Sequence, residues 1–243
     1  VNNNFDDLAA GLTQSLSKDG QTVPTANLPM GGFKHTGMGN GTSDQDSATV
    51  AQTTWFPPTP QGRLTLSTGV PVMTGAVLAA ATVYYTPWCG NLIPIYDGTR
   101  FLAKTFTELS NATAQSSTGG AGPAVVANNS IYDLFGWNDS GTIRLTRGPA
   151  WTSDTGRGTG AGTSELIRIN GILLNATAIS NGPAAQRGTY LGSFRSDGSA
   201  QANWQPGGID TPALLNVWNA YNRREVRGFI GDSTNSWNYT TAT

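Results

Sequence analysis

The residue types that most often carry catalysis are sparse in this sequence and lie far apart. Its one histidine, His35, falls in a glycine-rich stretch, and its one cysteine, Cys89, lies between a tryptophan and a glycine. Neither has a neighbouring acid or base, which an activated nucleophile or general base requires. We therefore interpret His35 as a surface or interface residue and Cys89 as a packing residue, because small thiols are commonly buried.

The carboxylates are scattered as well. A glycosidase needs two carboxyl groups facing each other across a sugar. The chain has three glutamates, which are far apart in sequence: Glu108, Glu165 and Glu225. Several aspartates fall in predicted turns, where hydrogen bonds to the backbone account for them: Asp97, Asp139 and Asp197. The sequence therefore predicts that the protein is not an enzyme.

Two short motifs suggest a cofactor or a metal ion without meeting its requirements. The stretch "GRGTGAGTSE", residues 156–165, lacks the Lys-Ser/Thr ending of a phosphate-binding loop and has no strand-to-helix context. The stretch "SDQDS" places Asp44 and Asp46 at a spacing seen in calcium loops, but the downstream glycine and bidentate glutamate are missing. We expect neither a cofactor nor a metal ion.

Aromatic residues give the strongest indication of a binding surface. Four of them lie beside loops rich in Gly, Asn and Asp: Trp137, Trp151, Tyr190 and Trp204. Rings in such surroundings suit stacking on sugar rings. The alternative is packing in a core or an interface, which is the commoner fate of tryptophan.

Composition limits the classes of partner. The 243-residue chain has a formal net charge of −1, a pI near 5.7 and no basic run, so it lacks the electrostatic character of a nucleic-acid-binding protein. No apolar run approaches the length of a membrane span, so insertion into a membrane is not expected. Charged residues make up 12% of the chain, a low share that suits a protein working outside the cytosol.

Most of the sequence from residue 55 onward reads as β-structure. Short runs of β-branched and aromatic residues alternate with turn signals at Asp97-Gly98, Asn170-Gly171 and Asp197-Gly198. With 31 glycines, seven tryptophans and seven tyrosines, the composition favours an ordered, loop-rich β protein whose cores are filled by rings. The spacing of the turns is typical of β-sandwiches.

Helices are expected at three places. Asn3 or Asn4 can cap a short N-terminal helix, and residues 42–54 form a weaker candidate. Residues 211–226 place apolar side chains at helical spacing after a Thr-Pro start. The N-terminal helix carries an apolar stripe that must be buried, because an isolated helix of this length is marginal in water: Phe5, Leu8, Leu12 and Leu16.

The predicted domain organisation has four parts. An N-terminal helix and extended segment occupy residues 1–54, and a small β module occupies residues 55–109. A linker rich in Ser, Thr, Gly and Ala spans residues 110–123, and a second β module spans residues 124–243. The start at Val1 and the strand-like end favour a piece of a longer polypeptide.

The N-terminal region resembles a known family. Residues 2–52 combine a short helix, a "DGQ" segment, "ANLPM", "GFKHTGM" and a segment rich in Asp, Ala and Thr. This order resembles the attachment region of bacteriophage tail-fibre and related virion-fibre proteins. The stretch "PQGRLTLSTGVPVM" and the later "RGFIGDSTNSWNY" are similar to segments of the same group. Residues 110–210 resemble no family.

The resemblance implies a trimeric fibre or spike subunit. Phage fibres are typically homotrimers whose extended chains wind around a common axis, so each chain covers apolar side chains of its neighbours. The expected interface joins the helix stripe to four residues of the extended segment: Val23, Leu28, Met30 and Phe33. The alternative from the residues alone is that this segment packs on its own β domain.

Together these observations predict a structural protein of the virion that contacts other virion proteins and projects β modules toward the host. The expected fold is mainly β, with two β-sandwich-like modules following the helix and extended segment. The second hypothesis makes residues 110–243 a receptor- or glycan-binding module. A third, a tailspike depolymerase, requires a carboxylate cluster on a long β-helix, and no short regular repeat indicates one.

Overall fold

A computed structural model describes residues 31, 37–43, 46–47, 57–116, 118–226 and 231–234. The chain divides into two compact units, residues 1–49 and residues 50–243. In the first unit, the described residues include a turn in which Asp46 accepts hydrogen bonds from the amides of Thr42 and Ser43. The second unit is mainly β, as the sequence predicts, and contains all the strands described below.

Fourteen strands lie in the described residues: β1 Gly62–Thr65, β2 Val77–Ala80, β3 Thr82–Pro87, β4 Leu92–Tyr96, β5 Phe101–Thr105, β6 Leu109–Ala112, β7 Ile131–Asp139, β8 Thr142–Ala150, β9 Leu166–Ile169, β10 Ile172–Asn175, β11 Thr189–Arg195, β12 Ala202–Gln205, β13 Leu214–Leu215 and β14 Val217–Asn219. One 3-10 turn, Thr118–Gly120, is the helical element of this part of the chain. The strands form four open sheets, with the orders β1-β3-β6, β8-β7-β11-β10-β9, β13-β12-β2 and β4-β5.

The largest sheet is organised around β11. On one edge β11 pairs with β7 along most of its length. Its other edge is shared between two strands, because β10 pairs at Thr189 and β14 pairs from Gly192 to Phe194. In the pairing of β11 with β7, the register shifts between Tyr190 and Gly192, which indicates a β-bulge. This bulge lies between Thr189, which pairs with β10, and the residues that pair with β14. The edge of β11 therefore changes partner beside Tyr190.

Local turn chemistry forms the hairpins that the sequence predicts. Asp97 and Gly98 lie between the paired strands β4 and β5. Asn170 and Gly171 both adopt positive φ and join β9 to β10 in a two-residue loop, as the Asn-Gly pair favours. Asp197 also lies in a turn, where its carboxylate accepts hydrogen bonds from the amides of Ser199 and Gln201, but that turn joins strands of two different sheets.

One core joins the two stretches that were expected as separate modules. Leu64, Val83 and Tyr85 from the first stretch pack in the same buried cluster as Leu134 and Phe194 from the second. In addition, β2 of the first stretch pairs with β12 of the second. Residues 50–243 thus form one compact unit, which differs from the expected division into modules 55–109 and 124–243.

The expected linker, residues 110–123, begins within the fold. Its first residues belong to β6, which pairs with β3, and Asn111 is buried. The side chain of Asn111 donates to the carbonyls of Ala121 and Leu145, at 2.7 and 3.0 Å. The same side chain accepts a hydrogen bond from the buried guanidinium of Arg147. These contacts attach the segment to β8.

The prediction of a helix over residues 211–226 is wrong. Residues 214–215 and 217–219 form β13 and β14 instead, because each finds a strand edge with which to pair. Along β14, Val217 is buried and Trp218 is 46% exposed, which is the alternation of a strand with one buried face. Tertiary pairing therefore overrides the helical spacing of the apolar residues.

The predictions for the N-terminal segment concern residues outside those that the structure describes. They comprise the helix, its stripe and the extended segment of the expected interface: Phe5, Leu8, Leu12, Leu16, Val23, Leu28, Met30 and Phe33. His35 and Asp44 lie outside as well, and so does most of the weaker helix candidate, residues 42–54. Trimerisation of the chain stays a prediction.

Candidate functional site

A groove of about 820 Å³ lies beside the point where β11 changes partner. Its lining combines four arginines and four aromatic residues, and we call it the arginine–aromatic groove: Arg63, Arg168, Arg223, Arg224, Tyr190, Trp204, Trp218 and Tyr221. Large concave surfaces that combine apolar rings with a few polar groups are the usual form of a ligand site. It is therefore the leading candidate for a functional site in the described part of the chain.

The two strands that share the edge of β11 both contribute to the groove. Leu173 of β10 and Trp218 of β14 line it, together with Tyr190 of β11. The amide of Leu173 donates to the hydroxyl of Tyr221 at 3.3 Å, which links β10 to the segment after β14. Burial raises the pKa of Tyr221, although the hydrogen bond from Leu173 opposes that shift. The hydroxyl is therefore a neutral hydrogen-bonding group at neutral pH.

The aromatic rings of the groove differ in exposure. Tyr190 and Trp204 are only 8% and 9% exposed, so they contribute mainly to its floor and to the core. Trp218 is 46% exposed and faces away from the core cluster that contains its neighbour Val217. Trp218 is thus the ring with the most surface available for a ligand.

A buried hydrogen-bond network holds Tyr190. Asp133, whose side chain is fully buried, accepts hydrogen bonds from Arg157 Nε at 2.5 Å and from Ser193 Oγ at 2.6 Å. The hydroxyl of Tyr190 lies 2.8 Å from Ser193 Oγ and 3.2 Å from Arg157 Nη2. Burial raises the pKa of Asp133, although the hydrogen bonds and charge of Arg157 oppose that shift. The network fixes the position of Tyr190 through its hydroxyl group, while the residue also lines the groove.

The arginines of the groove have different surroundings. Arg63 is buried, and its guanidinium donates to the carbonyls of Pro71 and Asn222, so it is already held by the protein. Burial lowers the pKa of Arg63, and the nearby charge of Arg224 adds to this shift. Arg168 is exposed and donates from Nη1 to the carbonyl of Gly171 at 2.7 Å.

Arg223 and Arg224 are exposed neighbours at the C-terminal side of the groove. The guanidinium carbon of Arg224 lies 5.8 Å from the ring centroid of Trp88, within the range of a cation–π contact. Among the described residues, no carboxylate forms an ion pair with any of the groove's four arginines. Ion pairs between described residues therefore leave the positive charge of these four arginines in place.

The structure brings together two of the four aromatic residues predicted from the sequence. Tyr190 and Trp204 both line the arginine–aromatic groove. Trp151 lies under Arg157, whose guanidinium carbon is 4.3 Å from the ring centroid, so it packs beside the network behind Tyr190. Trp137 lines a separate, smaller pocket of about 250 Å³ and donates from Nε1 to Thr146 Oγ1 at 2.6 Å.

The other groove residues were missed in the sequence. Trp218, Tyr221 and the pair Arg223-Arg224 fall in the stretch that was predicted as a helix, where their spacing was assigned to packing. The signal that could have found them is two adjacent arginines following a Trp and a Tyr in a chain with few charges. Arg63 and Arg168 carry no such local signal, since only the fold brings them to the groove.

The candidate catalytic residues do not converge. Cys89 is exposed, so the expectation that it is a buried packing residue is wrong, and its Sγ lies 3.5 Å from the carbonyl oxygen of Gln61. Glu108 accepts hydrogen bonds from Thr68, Thr86 and the amide of Gly69, and Glu165 accepts one from the amide of Gly160. Glu225 lines the groove. The three glutamates therefore have different hydrogen-bond partners and surroundings.

The hydrogen bonds of Glu108 also change its acidity. Burial raises the pKa of Glu108, but the hydrogen bonds from Thr68, Thr86 and Gly69 outweigh it, so the pKa lies below its ordinary value. The carboxylate thereby holds the turn after β1 against the strands β3 and β6.

Two of the three turn aspartates, Asp97 and Asp197, accept the expected hydrogen bonds from the backbone, whereas Asp139 forms an ion pair instead. Asp97 accepts hydrogen bonds from the amides of Thr99 and Arg100, which lower its pKa. Asp139 pairs with Arg144 across the β7–β8 hairpin, at 2.6 Å. Among the described residues, no three His, Cys, Asp or Glu side chains gather in a way that could hold a metal ion.

Comparisons with known proteins give no relative for this chain. No protein-family profile matches it, and no curated protein or solved structure is detectably similar to it. Within the described residues, no helix has the length and apolar character needed to cross a membrane. A functional assignment therefore depends on the chemistry of the groove and on the sequence.

Proposed function

We propose that residues 57–226 form a saccharide-binding module, which a trimeric phage fibre or spike holds out toward the host surface. The observation that carries this proposal is the arginine–aromatic groove, which combines stacking surfaces with hydrogen-bond donors in one concave site. A pyranose ring has an apolar face that packs on an aromatic ring, and a rim of hydroxyls that accept hydrogen bonds from guanidinium groups.

The exposed ring of Trp218 supplies the stacking surface. It lies in the groove beside Tyr221, whose hydroxyl is anchored by the amide of Leu173, so the two rings are held by different parts of the backbone. A rigid aromatic surface loses little conformational entropy when it binds a ligand. This arrangement supports binding of a sugar chain that lies along the groove.

The proposed module binds its saccharide without cleaving it. Hydrolysis by either common mechanism uses two carboxyl groups on opposite sides of the scissile bond. In the described lining of the groove, Glu225 is the one carboxylate. The buried Asp133 lies behind Tyr190 and is engaged by Arg157 and Ser193.

The assignment to a phage particle rests on the resemblance of residues 2–52 to fibre attachment regions. In this proposal, that segment trimerises and attaches to other virion proteins, so that each particle presents several copies of the groove. Multiple weak sites acting together give an avidity that a single site lacks. The mass of the intact chain in solution, measured by light scattering, tests the trimer, and a monomer with a folded N-terminal segment contradicts it.

An array of bacterial surface polysaccharides tests the binding function. We expect the intact chain to bind at least one polysaccharide and the variant Trp218→Ala to bind it about 5–30-fold more weakly, from the loss of about 1–2 kcal/mol of ring contact. The matched control is Leu78→Ala, since Leu78 is 53% exposed and lies outside the groove lining.

Two results would overturn this proposal. If no polysaccharide binds the intact chain, the protein has a structural role alone. If binding occurs but Trp218→Ala and Leu78→Ala both leave it unchanged, the saccharide site lies elsewhere on the protein. Release of reducing ends during the same assay would contradict the absence of cleavage.

A further inference from the structure

We infer that the saccharide taken by the arginine–aromatic groove is acidic, with carboxylate or phosphate groups on its sugar units. This inference rests on the proposed saccharide-binding function and adds the class of ligand. It comes from a separate observation, which is the distribution of charge over the molecule.

Positive charge is concentrated in the groove. Four of the chain's 14 Lys and Arg residues line it, and Glu225 is the one acidic residue in its described lining. The formal charge of the lining is therefore +4 − 1 = +3, whereas the whole chain carries −1. Outside this lining, residues 57–226 carry seven Lys and Arg against eight Asp and Glu, a formal charge of −1. The positive charge of this region is therefore concentrated in the groove, which attracts anions locally.

Two of the four guanidinium groups in the groove lining, those of Arg223 and Arg224, are available to a ligand. Arg223 and Arg224 are exposed, and no ion pair with a carboxylate among the described residues engages them. The guanidinium of Arg63 already donates to backbone carbonyls, so it contributes positive charge to the groove rather than hydrogen bonds to a ligand. An arginine fork matches a carboxylate or a phosphate with two parallel hydrogen bonds.

Stacking and charge recognition occur close together along the chain. Arg223 and Arg224 lie two and three positions after Tyr221, and both line the groove together with Trp218 and Tyr221. A sugar whose apolar face packs on an exposed ring would therefore place its acidic substituent within reach of a guanidinium group. Neutral saccharides would use the rings and leave the positive charges uncompensated.

Charge complementarity also argues against the other occupants of the groove. The C-terminal residues 227–243 carry one Arg and one Asp, so their formal charge is zero and they offer no net negative charge to a +3 groove. A long single-stranded nucleic acid would extend beyond the groove, where the rest of residues 57–226 carries a formal charge of −1 and offers no net positive charge to further phosphates. A short acidic substituent needs positive charge only within the groove.

The test compares the intact chain with the double variant Arg223→Gln/Arg224→Gln on matched ligands. The ligands are polygalacturonate, its fully methyl-esterified form, a glycerol-phosphate teichoic acid, neutral dextran and single-stranded oligothymidylate, added to the same polysaccharide array. We expect binding to acidic members of the set, with the double variant about 10–100-fold weaker. The control is Arg100→Gln, which removes an exposed arginine that lies outside the groove lining and pairs with Asp97.

The outcomes separate this inference from the proposed function. Binding that is confined to acidic saccharides and weakened by the double variant supports both, and the carboxylated and phosphate-containing ligands then identify the acidic group. Equal binding to the neutral or methyl-esterified saccharides overturns the inference and leaves saccharide binding intact. Tighter binding to the oligothymidylate, or no binding to any ligand, overturns both. Circular dichroism of the double variant verifies that it is folded.

Discussion

The buried guanidinium of Arg147 offers the sharpest test of how this fold is held together. Arg147 lies on β8 with no exposed surface. It donates from Nη1 to Asn111 Oδ1 at 2.6 Å and to the carbonyl of Ala112 at 3.0 Å, and from Nη2 to the carbonyl of Ala124 at 2.6 Å. Burial lowers the pKa of Arg147 to about 10, so the group is still charged at neutral pH.

The variant Arg147→Met removes these donors while keeping a side chain of comparable length. Asn111 is buried and Ala112 half-buried, so their acceptor oxygens lose a donor that water cannot fully replace, whereas the exposed Ala124 carbonyl can be hydrated. At about 1–3 kcal/mol for each buried acceptor left without a donor, we expect a loss of about 2–6 kcal/mol in the free energy of unfolding. Removal of the buried charge offsets part of that loss.

Urea unfolding of the intact chain, followed by tryptophan fluorescence, measures the effect. The matched control is Arg144→Met on the same strand, because the side chain of Arg144 is 34% exposed and its partner Asp139 is similarly exposed. We expect this control to change the free energy of unfolding by less than about 1 kcal/mol.

A double-mutant cycle with Asn111→Leu tests whether the two side chains act as a unit. The substitution of Asn111 should cost less in the Arg147→Met background than in the wild-type chain, because the contact between them is already lost. If Arg147→Met is as stable as Arg144→Met, or if the two substitutions are simply additive, then this network does not attach β6 to β8 and our reasoning about the segment is wrong.

Three further predictions use the same unfolding and mass measurements. Gly192→Ala should lower the free energy of unfolding by about 1–3 kcal/mol more than Gly141→Ala. Both glycines have positive φ, but only a Cβ at Gly192 would collide with the backbone of β14. Equal losses in the two variants would contradict this prediction. Glu108→Gln should be less stable than wild type at neutral pH. Because folding lowers the pKa of Glu108, that difference should fade as the pH falls below about 4.5, and a constant difference would contradict the assignment. Leu12→Asp should abolish the trimer if the helix stripe is buried between chains, because burial of each leucine side chain stabilises the trimer by roughly 1.5–3 kcal/mol. The control Gln14→Asp should leave the trimer intact. A trimer in both variants would show that the stripe is not an assembly surface.

Local chemistry accounts for the parts of this fold that the sequence predicted well. The β4–β5 and β9–β10 hairpins form at Asp97-Gly98 and Asn170-Gly171, because these residue pairs favour the backbone angles of a tight turn whatever lies around them. The mainly β character follows from the same short-range signals. The hydrogen bonds that Asp97 and Asp197 accept from the backbone were predictable for this reason too.

Contacts between residues that are distant in sequence determined the features that the sequence did not predict. Residues 214–219 have helical spacing and yet form strands, since β11 and β12 offer edges that sequence spacing does not reveal. The expected linker is instead attached by Asn111 to residues more than 30 positions away, and β2 pairs with a strand more than 100 positions later. Those contacts merge the two expected modules into one unit.

The candidate site depends on both the local sequence and the tertiary structure. Composition indicated a protein with few charges, and the loops rich in Gly, Asn and Asp beside Tyr190 and Trp204 identified these two residues as candidates for sugar contact. Only the tertiary structure placed them with Arg63, Arg168 and the pair at residues 223–224, because the edge of β11 is shared by two strands that are far apart in the chain. A groove is formed by side chains from several strands, so its charge is a property of their arrangement in space rather than of any one stretch of sequence.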